Sequence, residues 1–204
     1  MAAAGVRHLT VTPHFDALLT LDAGAAATRL DALDRGWSEL ASLAHESFPT
    51  LALSRGAEVM LDVPRPDLGD PRLRLGGGTF VLVEFAYHAV PPESAASLSY
   101  LRGKGWIPLL AHPERYSEVR VRPRLLAEWR RAGAYFQMNS GSLTGGYGKD
   151  AQRVANDLLA RGWADVLASD YHGRGSPGLT EAWRLLEEAG GCRRAELRRP
   201  WSAR

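Results

Sequence analysis

Apolar and polar positions along this chain alternate between short, strand-like runs and longer amphipathic stretches. β-Branched and apolar residues concentrate at 6–12, 50–54, 79–85, 106–111, 134–138 and 164–169, a pattern that predicts strands. Between them the period lengthens. Leu30, Leu33, Trp37, Leu40 and Ala44 recur at the three-and-four spacing of one helical stripe. Pro92 and Glu93 open a helix leading to Leu98 and Leu101, and Pro123 plays the same part before Leu126 and Trp129. Ala151, Val154, Ala155 and Leu158 form another stripe, and Thr180 is placed to cap a last helix through Leu185 and Leu186. Regular alternation of strand and helix predicts the α/β class, with a parallel sheet or barrel.

Residues 63–78 interrupt that rhythm. Pro64, Pro66, Pro71 and the run Gly76, Gly77, Gly78 predict a surface connection carrying solvated Asp67, Asp70, Arg72 and Arg74, with a lid or substrate rim as the other reading.

The chemistry collects where apolar runs end. VTPH finishes on His14, GAE on Glu58, VEF on Glu84, AHPER carries His112, and ASDYH carries Asp170 and His172. Side chains at the carboxyl ends of successive parallel strands converge on one face of an α/β barrel. Taken singly, each has an ordinary alternative: a turn histidine, a carboxylate paired with arginine, a hydrogen-bonded core histidine. Their recurrence at strand ends favours a metal-dependent hydrolase. Glu84 weighs most, because a carboxylate closing the run Phe80, Val81, Leu82, Val83 is costly to bury unless paired or metal-bound. Mixed imidazole and carboxylate donors suit manganese, iron or zinc. Arg115 follows His112 closely enough to aim a forked cation at a phosphate held there, a structural ion pair being its alternative. His8 and His45 read as surface or core histidines, whereas His88, just past Glu84, is placed to line the rim.

Composition narrows the classes. At 204 residues and 45% hydrophobic, residues 1–204 read as one domain with a basic tail at about 190–204. A net charge of +2 gives no general pull toward nucleic acid. No apolar run approaches the ~20 residues of a membrane span. Cys192 is the sole cysteine, which excludes an internal disulfide framework and points to a cytoplasmic setting. Cys192 and Arg198 match the C-x5-R spacing of cysteine-dependent phosphatases by chance, since no glycine and no strand accompany them. The segment NSGSLTGGYGK, from Asn139, lacks the Walker spacing and reads as either an anion-binding loop or a plain strand-to-helix turn.

With TPH, GAE, EF, AHPER, NSGSLTGGYGK and ASDYH in this order, the chain resembles the bacterial tyrosine phosphatases of the polymerase and histidinol phosphatase (PHP) superfamily, found with capsule and exopolysaccharide systems. The likeness runs from about Ala2 to the end. It implies a distorted, TIM-like β/α barrel holding up to three divalent metals, commonly manganese, and hydrolysis of phosphotyrosine on proteins such as bacterial tyrosine kinases. It makes Glu58 a bridging ligand, Glu84 and His112 its partners at one metal position, Asp170 a ligand of a second, and His14 and His172 ligands of a third. Arg115, with His112, would carry catalysis and hold the phosphate, helped by Arg174.

The chain also departs from that pattern. The D-x-H-x-H strand and following helix with which the resemblance opens have no counterpart, so the expectation is a barrel lacking its first strand and helix, from a late start or a decayed copy. Exposed pairing edges would then favour a homo-oligomer. Phe15 stands where a second histidine is usual and Tyr171 where a small residue is usual. The alternatives carried forward are a phosphoesterase for a small metabolite such as histidinol phosphate, and an inactive phosphotyrosine- or kinase-binding remnant.

Overall fold

A computed structural model describes residues 6–173 and 178–188. Arg174, Cys192 and the basic stretch at about 190–204 lie outside the described residues. Strand and helix alternate as β1 (His8–Val11), β2 (His14–Asp16), α1 (Ala23–Ser47), β3 (Ala52–Arg55), β4 (Glu58–Met60), β5 (Phe80–Glu84), α2 (Ser94–Gly103), β6 (Ile107–Ala111), α3 (Ser117–Val121), α4 (Arg124–Arg131), β7 (Tyr135–Asn139), α5 (Ser140–Leu143), α6 (Lys149–Ala160), β8 (Val166–Ala168) and α7 (Leu179–Glu188). Thr180 therefore sits inside α7 rather than capping it.

Every strand pair is parallel. One sheet runs in the order β2, β4, β5, β6, β7, β8, and β1 pairs with β3 beside it. The two pairs form one long interrupted ladder, because Gly56 and Glu58 donate their N–H groups to the carbonyls of Val11 and Pro13 at 3.0 Å across the break. Pro13 has no N–H to give, so regular pairing lapses there and resumes at His14 opposite Glu58. Sequential strands as spatial neighbours, joined mostly by helices, is the winding of a barrel. Among the described residues no strand pair closes it. β1 and β8 instead face each other across a cavity of about 230 Å³ lined by Val6, His8, Thr10, Leu82, Leu109, Val166 and Ala168.

Strand alternation sorts the side chains. In β5, Val81 and Val83 join Val59, Leu110 and Phe136 in the helix-covered core, whereas Phe80, Leu82 and Glu84 face the other way with Leu109 and Ala111. On the helix side Trp129 is fully buried against Phe85 and Tyr116 and donates its indole N–H to Ser94 Oγ at 3.0 Å. Helix α1 starts where the Asp22 carboxylate accepts from the Gly24 and Ala25 N–H groups. Its stripe is only partly used, since Leu30 is buried but Leu40 is exposed.

Residues 63–78 are more than a surface connection. Leu68, Leu73 and Leu75 are buried, and Leu75 belongs to one buried cluster with Phe80, Leu82 and Leu109. Asp70 and Arg72 are not freely solvated. Arg72 bridges Asp70 at 2.7 Å and Asp34 of α1 at 2.9 Å, while Arg74 stacks on Trp106.

Candidate metal centre

The site grows from the inward face of the sheet. His14 and Glu58 lie opposite each other in register, and Glu84 ends β5 on the same face. His14 and Glu58 open β2 and β4 rather than ending β1 and β3, because the ladder resumes after Pro13 and Gly56. His112 follows β6 with φ 33°, and Asp170 follows β8 with φ 46°; these are the positive-φ non-glycine residues among those described. A left-handed backbone at a non-glycine residue is strained, and such residues concentrate where function holds them in place. Here the turn lets each side chain swing back over the sheet. His8 bonds Ser54 at 3.0 Å, His45 is exposed on α1, and exposed His88 packs on Tyr87 with ring centres 4.4 Å apart.

The buried carboxylates Glu58 and Glu84 stand between two imidazoles. His112 Nε2 lies 3.2 Å from Glu58 Oε1 and 3.5 Å from Glu84 Oε2, and His14 Nδ1 lies 3.0 Å from Glu84 Oε1 and 3.9 Å from Glu58 Oε2. One donor atom each from His14, Glu58 and Glu84 falls within a 4.8 Å group. His172 extends the cluster, its Nε2 lying 3.4 Å from that of His14 with the rings stacked. Asp170 completes it through an Oδ1 3.5 Å from His172 Nδ1. His14, Glu58, Asp170 and His172 open onto a cavity of about 430 Å³ that also touches Gln137 and Tyr171.

The electrostatics match a cation site. Burial, and then the neighbouring Glu58 charge, hold the Glu84 carboxyl above its ordinary range, while His112 and His14 pull it down less strongly. Burial draws the His112 imidazole down, yet its hydrogen bond to Glu58 and the Glu58 charge outweigh that and raise it. Two buried acids with the His14 imidazole in one close group, and His112 beside both acids though outside that group, form a donor set suited to a divalent metal.

Arg115 lies in the short turn after His112 and donates to Asp170 Oδ2 at 2.9 Å. The same oxygen accepts from Asn139 Nδ2 at 2.8 Å. Asp170 thus joins the imidazoles to a guanidinium.

A family description, "Capsular polysaccharide synthesis, CpsB/CapC", matches residues 1–196. The chain belongs to the CpsB/CapC family. It is 30% identical over 171 residues to the tyrosine-protein phosphatase YwqE of Bacillus subtilis (strain 168), a match covering 82% of this chain and 65% of YwqE. It is 24% identical over 208 residues to the tyrosine-protein phosphatase CpsB of Streptococcus pneumoniae, covering 94% of this chain and 80% of CpsB. A solved chain from the crystal structures of these two proteins, described as unique metal-dependent tyrosine phosphatases, superposes with a TM-score of 0.76 at 28% identity, covering 94% of this chain and 76% of that one. The chain thus spans just under two thirds of YwqE.

Within this CpsB/CapC chain one supporting residue beside the site, Glu114, escapes a reading by strand ends. Glu114 is fully buried and accepts from the Asn139 N–H at 3.0 Å and Ser142 Oγ at 2.6 Å. Burial raises its carboxyl despite those two bonds. It fastens the end of β7 and the short helix α5, which together carry NSGSL, to the turn that carries Arg115. Its only signal was its place between His112 and Arg115. Phe15, the departure at the second histidine position, is buried beside Val59 on the helix side, opposite His14. An apolar residue suits that face.

Proposed function

We propose that this chain is a metal-dependent phosphomonoesterase acting on phosphotyrosine in proteins, with a tyrosine kinase of capsule or exopolysaccharide synthesis as its natural partner and the cytoplasm as its setting. One observation carries the reading: buried Glu58 and Glu84 are bracketed by His14 and His112, and Asp170 links this cluster to Arg115. The family membership and the metal-dependent tyrosine phosphatases it resembles support it.

In this reading Glu58, Glu84, His112 and His14 would hold one or more divalent ions, manganese first and iron or zinc next, with Asp170 and His172 at the outer positions. Such an ion activates water near neutral pH and neutralises phosphoryl charge. The chain's own residues do the rest. Arg115, oriented by Asp170, holds the non-bridging phosphate oxygens and stabilises their charge as the ester bond breaks. Burial of Glu58 and Glu84 lowers the effective dielectric around these two carboxylates, which strengthens their electrostatic contacts. A tyrosine leaving group, with a pKa near ~10, departs with less protonation than an alkyl alcohol needs. No dedicated acid is required.

The test is hydrolysis of a phosphotyrosine peptide by the manganese-supplemented chain. Turnover is expected to vanish with chelator, to return when metal is restored, and to be lost in His112→Ala. Turnover that survives both chelator and His112→Ala would overturn the metal-dependent mechanism.

A further inference from the structure

Arg115 does not stand alone at the mouth of the site. The Tyr147 ring lies against its guanidinium, with 4.1 Å from the guanidinium carbon to the ring centre, and Tyr87 stands 5.9 Å away. Both rings are about two-fifths exposed, at 42% for Tyr147 and 43% for Tyr87, although neither has a hydrophobic core to fill. They come from separate loops, one after β5 and one after α5, so their meeting at Arg115 is tertiary.

Each ring is held by its own loop. Tyr87 packs edge-on against His88, and its carbonyl accepts from the Ser117 hydroxyl at 3.2 Å. Tyr147 lies over Gly141 so closely that a Cβ there would come within 2.7 Å of the ring. Gly148, at φ 89°, and Gly145, at φ 84°, take the left-handed turns that bring the loop back over α5. The glycine-rich segment thus delivers an aromatic ring to Arg115.

Building on the phosphatase reading above, we infer that Tyr147 and Tyr87 form an aromatic clamp around Arg115 that selects aryl over alkyl phosphoesters. In an aryl phosphate the phosphorus is one oxygen removed from its ring. A phosphate held by the outer guanidinium edge therefore brings that ring within reach of the two tyrosines, where edge-to-face or offset contacts favour it. An alkyl phosphate engages Arg115 equally but offers the clamp nothing.

Equilibrium binding separates these roles without turnover, because the C–P bond of a phosphonate is not hydrolysed. Phenylphosphonate and methylphosphonate are titrated calorimetrically into the manganese-supplemented full chain and its variants. The unsubstituted chain should prefer phenylphosphonate. Tyr147→Ala should shrink that preference by about threefold to tenfold, with methylphosphonate affinity nearly unchanged, and Tyr147→Phe should retain it. Tyr87→Ala should shrink it less, in keeping with its longer distance, and serves as the second variant if Tyr147→Ala unfolds. Arg115→Ala should weaken both ligands in similar proportion. An aryl preference unchanged in both alanine variants overturns the clamp and leaves the phosphate site intact. If neither phosphonate binds the unsubstituted chain, the phosphate-site reading falls and the clamp falls with it.

Discussion

Glu84→Gln is predicted to change the sign of its effect on stability when metal is added. In the metal-free protein, Glu58 and Glu84 are buried and their donor atoms lie within a 4.8 Å group. At an effective dielectric of about 20, two unit charges that far apart repel by roughly 3 kcal/mol. His112 and His14 offset much of that, since both contact Glu84. A net gain of about 1 kcal/mol is therefore expected when the side chain becomes neutral and near-isosteric, raising Tm by about 2–4 °C for a chain of this length. With manganese the balance reverses. A ligand present at 100 times its Kd stabilises the native state by about 2.7 kcal/mol, or about 5–10 °C, and the Glu84→Gln variant forfeits most of it. The assay is a pair of thermal melts at pH 7.5, with chelator and with manganese, for both proteins. Equal melting shifts on adding metal to both would refute the assignment of Glu84 to the metal. A strongly destabilised metal-free variant would refute the electrostatic argument.

Two further outcomes follow from groups beside the site and away from it. Glu114→Ala should cost about 2 kcal/mol or more in urea unfolding, because the buried Asn139 N–H and Ser142 hydroxyl lose their acceptor, whereas Glu114→Gln, which keeps a carbonyl there, should stay within about 1 kcal/mol of the parent; equal losses would show that the charge, not the acceptor, matters. The Arg72 side-chain hydrogen bond, opposed by burial and aided by the Arg72 N–H, holds the Asp70 carboxyl below its ordinary range, so its stabilisation is present above about pH 4 and is lost as pH falls through the lowered value. Arg72→Ala should cost no more than about 1 kcal/mol at pH 7 and flatten the acid limb of a stability-versus-pH curve, and an unaltered limb would remove this ion pair from acid unfolding.

The strands and long helices were legible because each buries one face, and burial writes its period into the sequence. β5, β6 and β7 lie within a residue of the expected 79–85, 106–111 and 134–138. β2 and β4 were not legible as separate strands. Each is three residues long, and what separates them from β1 and β3 is a missing N–H at Pro13 and a break at Gly56, not a change in hydrophobic pattern. The loop at 63–78 misled for a related reason. Its prolines and glycines speak for turns, whereas the burial of Leu68, Leu73 and Leu75 depends on tertiary packing that no local period records.

The site divides along the same line. Glu84 could be picked out because an acid among apolar neighbours is a conflict that local sequence displays. Its convergence with His14 and Glu58 follows from strand alternation once the sheet is parallel and in register, whereas His112, which lies past β6, is brought back over the sheet by its left-handed turn. The supporting groups obey no such rule. Glu114 reaches Asn139 and Ser142 from another loop, and Tyr147 reaches Arg115 only because Gly141 leaves room for its ring. A sheet can therefore announce its candidate metal ligands through periodicity, while the surroundings of Arg115 are set by contacts between loops. Substitutions in those loops should thus alter which phosphoester is chosen before they alter whether metal is held, and substitutions at strand ends should do the reverse.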